Sequence, residues 1–203
     1  MKQLVEKQLA QSIATMQAVL ADSNIADTIV SVGQLTAKAM QNGGKLLVAG
    51  NGGSAADAQH LVAEFVVRLT VNRPALRAIA LTTDTSILTA GGNDFGYETV
   101  FSRQIEALGQ PGDVFLGIST SGNSKNIIAA LEQCAKMGIP TIGFTGGNGG
   151  KMREMCEYNV VIPSDVTMNI QESHLALEHI FCMVVERFTW GMDFDKQPQN
   201  LAE

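Results

Sequence analysis

His60 and Glu64 stand four residues apart in a segment with helical periodicity, so their side chains share one helix face. An imidazole and a carboxylate placed together can hold a divalent metal or move protons as acid and base. The segment is entered through Val48-Ala-Gly-Asn-Gly-Gly-Ser54, an apolar run that turns on glycines into the start of a helix. Bare backbone N–H groups and the positive end of a new helix dipole suit an anion at that turn. A second loop, Ser119-Thr-Ser-Gly-Asn-Ser124, follows another apolar run and brings four hydroxyls to the start of a helix near Lys125. Such a loop can donate several hydrogen bonds to a phosphate, although a single serine there would be read as a helix cap. Neither loop is a Walker A motif, since no Gly-Lys-Ser/Thr follows. Gly50-Asn51-Gly52 fails the dinucleotide pattern because Ala55 occupies the last glycine position. Gly146-Gly-Asn-Gly-Gly150 lacks hydroxyls and reads as a turn before a short helix.

Alternating strands and helices must position these groups. Leu46–Ala49, Ala78–Leu81, Val114–Ile118, Thr141–Phe144 and Asn159–Ile162 read as short buried strands. Helical patterns fall at 54–69, 85–91 with 97–107, 123–137 and 149–156, and a long one spans 169–189. The expectation is an α/β three-layer sandwich with a five-stranded parallel sheet, whose ligands bind at the carboxyl ends of the strands. Two helical patterns precede the first strand. One has Leu9, Ile13, Met16 and Leu20 at helical spacing, and the second has Ile25, Ile29, Val32, Leu35 and Ala39. These helices could cap the core or build a bundle with another subunit, and the bundle is preferred here.

The chain of 203 residues fits a single domain: a helical extension over 1–42, an α/β core over 43–190 and a tail over 191–203, of which 193–203 reads as loosely held. A net charge of −6 without a basic cluster argues against electrostatic capture of nucleic acid. The apolar runs are too short to predict a membrane span, and the start of the chain lacks a signal-peptide core, so the cytoplasm is expected. Three cysteines in apolar contexts (Cys134, Cys156 and Cys182) read as reduced packing residues.

Taken together, Gly50-Asn-Gly-Gly-Ser54, His60 with Glu64, Gly92-Asn-Asp-Phe-Gly96, Gly117-Ile-Ser-Thr-Ser-Gly-Asn-Ser124 and Ile170-Gln-Glu-Ser-His174 with His179 resemble the sugar isomerase (SIS) domain family, and within it the phosphoheptose isomerases. The resemblance implies a flavodoxin-like sheet and a homotetramer. It also implies interconversion of sedoheptulose 7-phosphate and glycero-manno-heptose 7-phosphate, the first step towards nucleotide-activated heptose for lipopolysaccharide. It further implies that Asn51, Gly52, Gly53, Ser54, Asn93, Asp94, Ser119, Thr120, Ser121 and Ser124 contact the sugar phosphate. His60, Glu64, Gln171 and His179 would line the reactive end and hold zinc, with Glu64 and Gln171 also meeting substrate. Glu64 and His179 are the expected proton-transfer pair. Gln171 and His179 are eight residues apart, a rise of about 12 Å in a regular helix, so one ion cannot easily take both unless Gln171 precedes the helix or another subunit contributes. Arg68 reads equally as a surface ion pair, and Asp84 as a helix cap or a site residue. The resemblance also covers a non-catalytic tetrameric adaptor that binds a replication initiator protein. Retention of both Glu64 and His179 favours catalysis over that reading and over a sugar-phosphate sensor.

Overall fold

A computed structural model describes residues 1–191; the expected loose tail, 193–203, lies outside the described residues. Five strands form one parallel sheet: β1 (Leu46–Gly50), β2 (Ala78–Ala80), β3 (Val114–Ile118), β4 (Thr141–Gly146) and β5 (Tyr158–Ile162). Their order is β2-β1-β3-β4-β5, with Leu47 opposite Ile79 on one side and Phe115 on the other. The five strands expected from the sequence are all present, each within two residues of its expected limits.

Both faces of the sheet are covered, which is why the central strands read as unbroken apolar runs. Leu46 and Val48 point to one face, where α2 (Ser23–Gln41), α3 (Gly53–Val66) and α8 (Thr167–Trp190) bury Ile29, Val32, Leu61, Phe65, Phe181 and Val185. Leu47 and Ala49 point to the other, against α5 (Val100–Leu108), α6 (Lys125–Met137) and the short α7 (Met152–Met155), which supply Phe101, Ile105, Ile127, Leu131 and Met152. All three cysteines are buried and unpaired, and burial pushes each thiol up to about 12.

The first helix, α1 (Lys2–Ala21), is inverted relative to an ordinary surface helix. It turns Thr15 and Val19 inward, with Ser12 bonded to Glu172 of α8. Its apolar residues Leu4, Val5, Leu9, Ile13, Met16 and Leu20 face outward, exposed by 38% to 86%. The remaining helix, α4 (Thr85–Phe95), buries no residue and is capped by Asp84, whose carboxylate accepts from the Ile87 N–H at 2.9 Å. Of the two readings of Asp84, the cap is the one realised.

Candidate active site

After β1 the chain crosses to β2, and β3 then lies on the opposite side of β1. The carboxyl ends of β1 and β3 therefore border the crevice where sheets of this order bind ligands. Both candidate loops are there. The first packs so tightly that a Cβ on Gly50 would run into the Ser54 backbone. Gly52, φ 57°, precedes helix α3 without a side-chain cap, so the first N–H groups of the helix keep their hydrogen-bonding capacity for a ligand. In the second loop the Ser119 and Ser124 hydroxyls lie 2.8 Å apart, and the Ser124 hydroxyl stands at the start of α6 without capping its first turn. Asn51 and Asn126 tie the loops together through reciprocal amide bonds of 2.9 and 2.8 Å.

The glycine loop after β4 is a turn leading into the short helix α7, as expected, and it also lines this rim. Gly146, Gly147 and Asn148 join Thr120, Ser121, Ser164, Asp165, Thr167 and Ile170 around a cavity of about 300 Å³. A Cβ on Gly122 would strike the Gly149 carbonyl, and one on Gly150 would strike Ser121 and Gly122. The two loops thus meet backbone to backbone, a contact with no counterpart in residue chemistry and so invisible to motif reading.

The His60, Glu64 and His179 side chains lie along the seam between α3 and α8. His60 Nε2 and His179 Nε2 are 2.8 Å apart with their rings at 83°, although 119 residues separate them in sequence. Glu64 Oε1 lies 3.5 Å from His60 Nε2. One ligand atom from each of these three residues falls within 4.8 Å of the other two. Around a tetrahedral zinc with Zn–N near 2.0–2.1 Å, two nitrogens stand roughly 3.3 Å apart, so a small rotation of either ring admits an ion. Two imidazoles and one carboxylate fit a three-ligand zinc site.

Gln171 does not join this trio within one chain. It lies inside regular α8, not before it, and its amide packs against Gly53 and near Asp57 at the loop end of the seam. That is two helical turns, about 12 Å, from His179. The Asn93 and Asp94 side chains bond to each other at 2.7 Å in the exposed last turn of α4, away from the α3–α8 seam. Arg68 bonds Asn72 at 3.0 Å on the surface.

Several buried polar groups escaped sequence reading. Burial raises the Asp57 carboxyl, while Gln171 and His60 work in the opposite direction. Glu178 is fully buried with no hydrogen-bond partner among the described residues, and burial pushes it up to about 8. His174 donates from Nε2 to the Thr145 carbonyl at 3.0 Å, and burial pushes it down to about 4. Arg73 meets Glu186 at 2.6 Å, both wholly buried. Burial raises the Glu186 carboxyl, and Arg73 offsets part of that rise. For His174, Glu178 and Glu186, only the period of α8 could have hinted at their inward direction.

Known proteins bear on this arrangement. The SIS domain family profile matches residues 8–146. A phosphoheptose isomerase of Aneurinibacillus thermoaerophilus is 53% identical over 92% of this chain and 94% of its own length. A Campylobacter jejuni protein named phosphoheptose isomerase 2 is 51% identical over 94% of each chain. Among solved structures, the phosphoheptose isomerase of Neisseria gonorrhoeae superposes with a TM-score of 0.86 at 41% identity, covering 91% of this chain and 98% of its own. Identity at this level over nearly the whole length, with the cradle and the His–Glu–His trio in one fold, has a plain meaning: the chain belongs to the SIS domain family and, within it, to the phosphoheptose isomerases.

Proposed function

We propose that this chain interconverts D-sedoheptulose 7-phosphate and D-glycero-D-manno-heptose 7-phosphate through an enediol. The observation that carries this reading is a single helix: α3 begins in the anion cradle and, about two and three turns later, presents His60 and Glu64 to His179. The phosphate sits at the start of α6 among Ser119, Thr120, Ser121 and Ser124, with the Asn51–Ser54 backbone facing it. The sugar then runs towards the seam, past Gln171. Glu64 approaches His60 through Oε1, which leaves Oε2 to take the proton from the carbon next to the carbonyl. The same carboxyl returns that proton to the neighbouring carbon, while His179 moves the hydroxyl proton between the two oxygens. Zinc held by His60, Glu64 and His179 would occupy the His179 nitrogen and replace its proton at those oxygens, polarising them and stabilising the developing oxyanion. Asn93 and Asp94 reach a sugar only where a neighbouring subunit brings α4 to the site.

The working unit in this reading is a homotetramer. The outward apolar ridge of α1 supports it, since a stripe of six exposed apolar side chains on one helix is covered at little cost by copies of itself. The chain acts as one SIS domain, with 1–42 as its oligomerising extension, 43–190 as the core and 191–203 as the tail. It works in the cytoplasm on a free sugar phosphate, without nucleic acid. Among the described residues no helix is long and apolar enough to cross a membrane, and the net charge of −6 disfavours a phosphate backbone as partner. The test is to incubate the purified chain with five-, six- and seven-carbon ketose phosphates, with and without a chelator, and identify the products. Conversion of the seven-carbon substrate alone, abolished by chelation and restored by zinc, is expected. Absence of any aldose product overturns the reading.

A further inference from the structure

We propose that Arg73 is a positioning residue for this isomerisation, clamping the end of α3 that carries Glu64 to the face of α8 that carries His179. The inference rests on the isomerase reading above, but its geometry stands apart from the reacting groups. Arg73 sits in the segment between α3 and β2. Its Nη2 donates to the Glu64 carbonyl at 2.6 Å and its Nη1 to the Phe65 carbonyl at 2.6 Å. These carbonyls belong to the last turn of α3, where no helical N–H reaches them. The Leu76 N–H also donates to Phe65 at 3.0 Å, so the segment folds back onto the helix end.

From the same guanidinium, Nε donates to Glu186 Oε1 at 2.6 Å, and both side chains are completely excluded from solvent. Glu186 lies seven residues after His179, which is two turns further along one stripe of α8. Trp190 closes the arrangement, with its ring centre 5.6 Å from the guanidinium carbon. One planar cation thus holds the backbone of the expected base and, through two helical turns, the register of its imidazole partner. A lysine cannot reproduce this, because a single ammonium does not span two carbonyls and a carboxylate lying in different directions.

The seam needs such a device. The His60–His179 approach of 2.8 Å is made between two helices with no chain connection nearby, and a misplacement of about 1 Å costs on the order of 100-fold in rate. The phosphate cradle is built from the loops after β1 and β3 and from the starts of α3 and α6, and Arg73 grips α3 at its opposite end, about three turns from Gly53.

Two variants test the proposal in the full chain. R73M/E186L removes both charges together, so no lone ion is left buried, and R73K keeps the charge but loses the fork. In each, kcat for sedoheptulose 7-phosphate should fall roughly 10- to 100-fold while KM stays within about twofold. A second readout needs no turnover. The chain has three histidines, so ring-15N histidine NMR resolves His60, His179 and His174, which faces β4 and is fixed by Thr145. The His60 and His179 signals should move in both variants while His174 stays put. Wild-type kcat with unmoved His60 and His179 signals in either variant overturns the proposal. So does a loss in which KM rises with falling kcat and all three signals shift together, the signature of general damage. Should the wild type fail to turn over the sugar, the isomerase reading falls and the NMR comparison alone decides the clamp.

Discussion

The two ends of α3 do different work with different materials. In the proposed reaction, recognition at its start would use backbone N–H groups and short hydroxyls contributed by two loops that are each contiguous in sequence: Gly50–Ser54 and Ser119–Ser124. Reactivity at its far end would depend on side chains that meet only because α3 and α8 pack in one register, with His60 and His179 separated by 119 residues. The first end resembles a part that could be moved to another fold with its motif. The second exists only as a relation between helices, and buried groups such as Arg73 and Glu186 maintain that relation.

This contrast predicts which kinetic constant each end controls. Glu64→Gln should leave folding and sugar-phosphate affinity intact and lower kcat about 1,000-fold, roughly 4 kcal/mol of barrier. Near-normal kcat in that variant, measured by discontinuous product assay, would move the proton transfer away from the seam. Ser119→Ala with Ser124→Ala should act on the other constant, raising KM about 100-fold, near 3 kcal/mol for two hydroxyls lost from a phosphate, with kcat largely kept. A kcat defect in the hydroxyl variant would erase the division of labour.

Stability separates the regions as well, because the seam contains buried titrating groups. The native state keeps Glu178 protonated from its ordinary value of 4.5 up to about 8, whereas the unfolded chain releases that proton, so stability falls as pH rises through this window. His174 has the opposite sign. Between about 4 and its ordinary 6.5 the unfolded chain binds a proton that the native ring refuses, so stability falls as pH falls. The two slopes oppose each other from 4.5 to 6.5, and Glu178 acts without that opposition above it. From pH 6.5 to 8 its contribution is about 1.4 kcal/mol per unit, or about 2 kcal/mol in all. Urea titrations at both pH values should show that loss in the wild type and its removal in Glu178→Gln. Equal pH slopes in the two proteins would mean that Glu178 is charged in the native state. The smallest effect is expected at the bridge between loops: Asn126→Ala strands the Asn51 amide and should cost about 1 kcal/mol, seen as a KM increase of about fivefold. A larger shift in kcat than in KM would tie the bridge to the seam instead.

How much was legible follows from the same contrast. Apolar runs such as Leu46–Ala49 and Val114–Ile118 announced the strands because a parallel sheet covered on both faces leaves no alternation to confuse them. The glycine and serine loops announced the cradle because their chemistry is local. His60 and Glu64 were legible as a pair by helical spacing, but His179 entered through family resemblance, since nothing in an apolar stretch of α8 says which residue it will meet. Gln171 shows the limit of a motif. Its place in the pattern suggested a shared ion, whereas helix geometry sets it against Gly53. Arg73 had no signal at all, because a loop arginine before a proline reads as solvent-facing until tertiary packing buries it. The apolar stripes of α1 and α2 were both visible and both read towards a bundle with another subunit, yet only the fold separated them, packing the α2 stripe into the core and leaving the α1 stripe outward.

The interlock between Gly122 and Gly150 has a consequence for descent. Where two loops touch through main chain alone, the smallest available side chain already collides with a carbonyl, so gradual drift has no intermediate to pass through at those codons. Divergence towards other sugars would have to proceed through the cavity's side chains, Asn148, Ser164, Asp165 and Thr167, leaving the glycine floor inherited unchanged while the walls above it are rewritten.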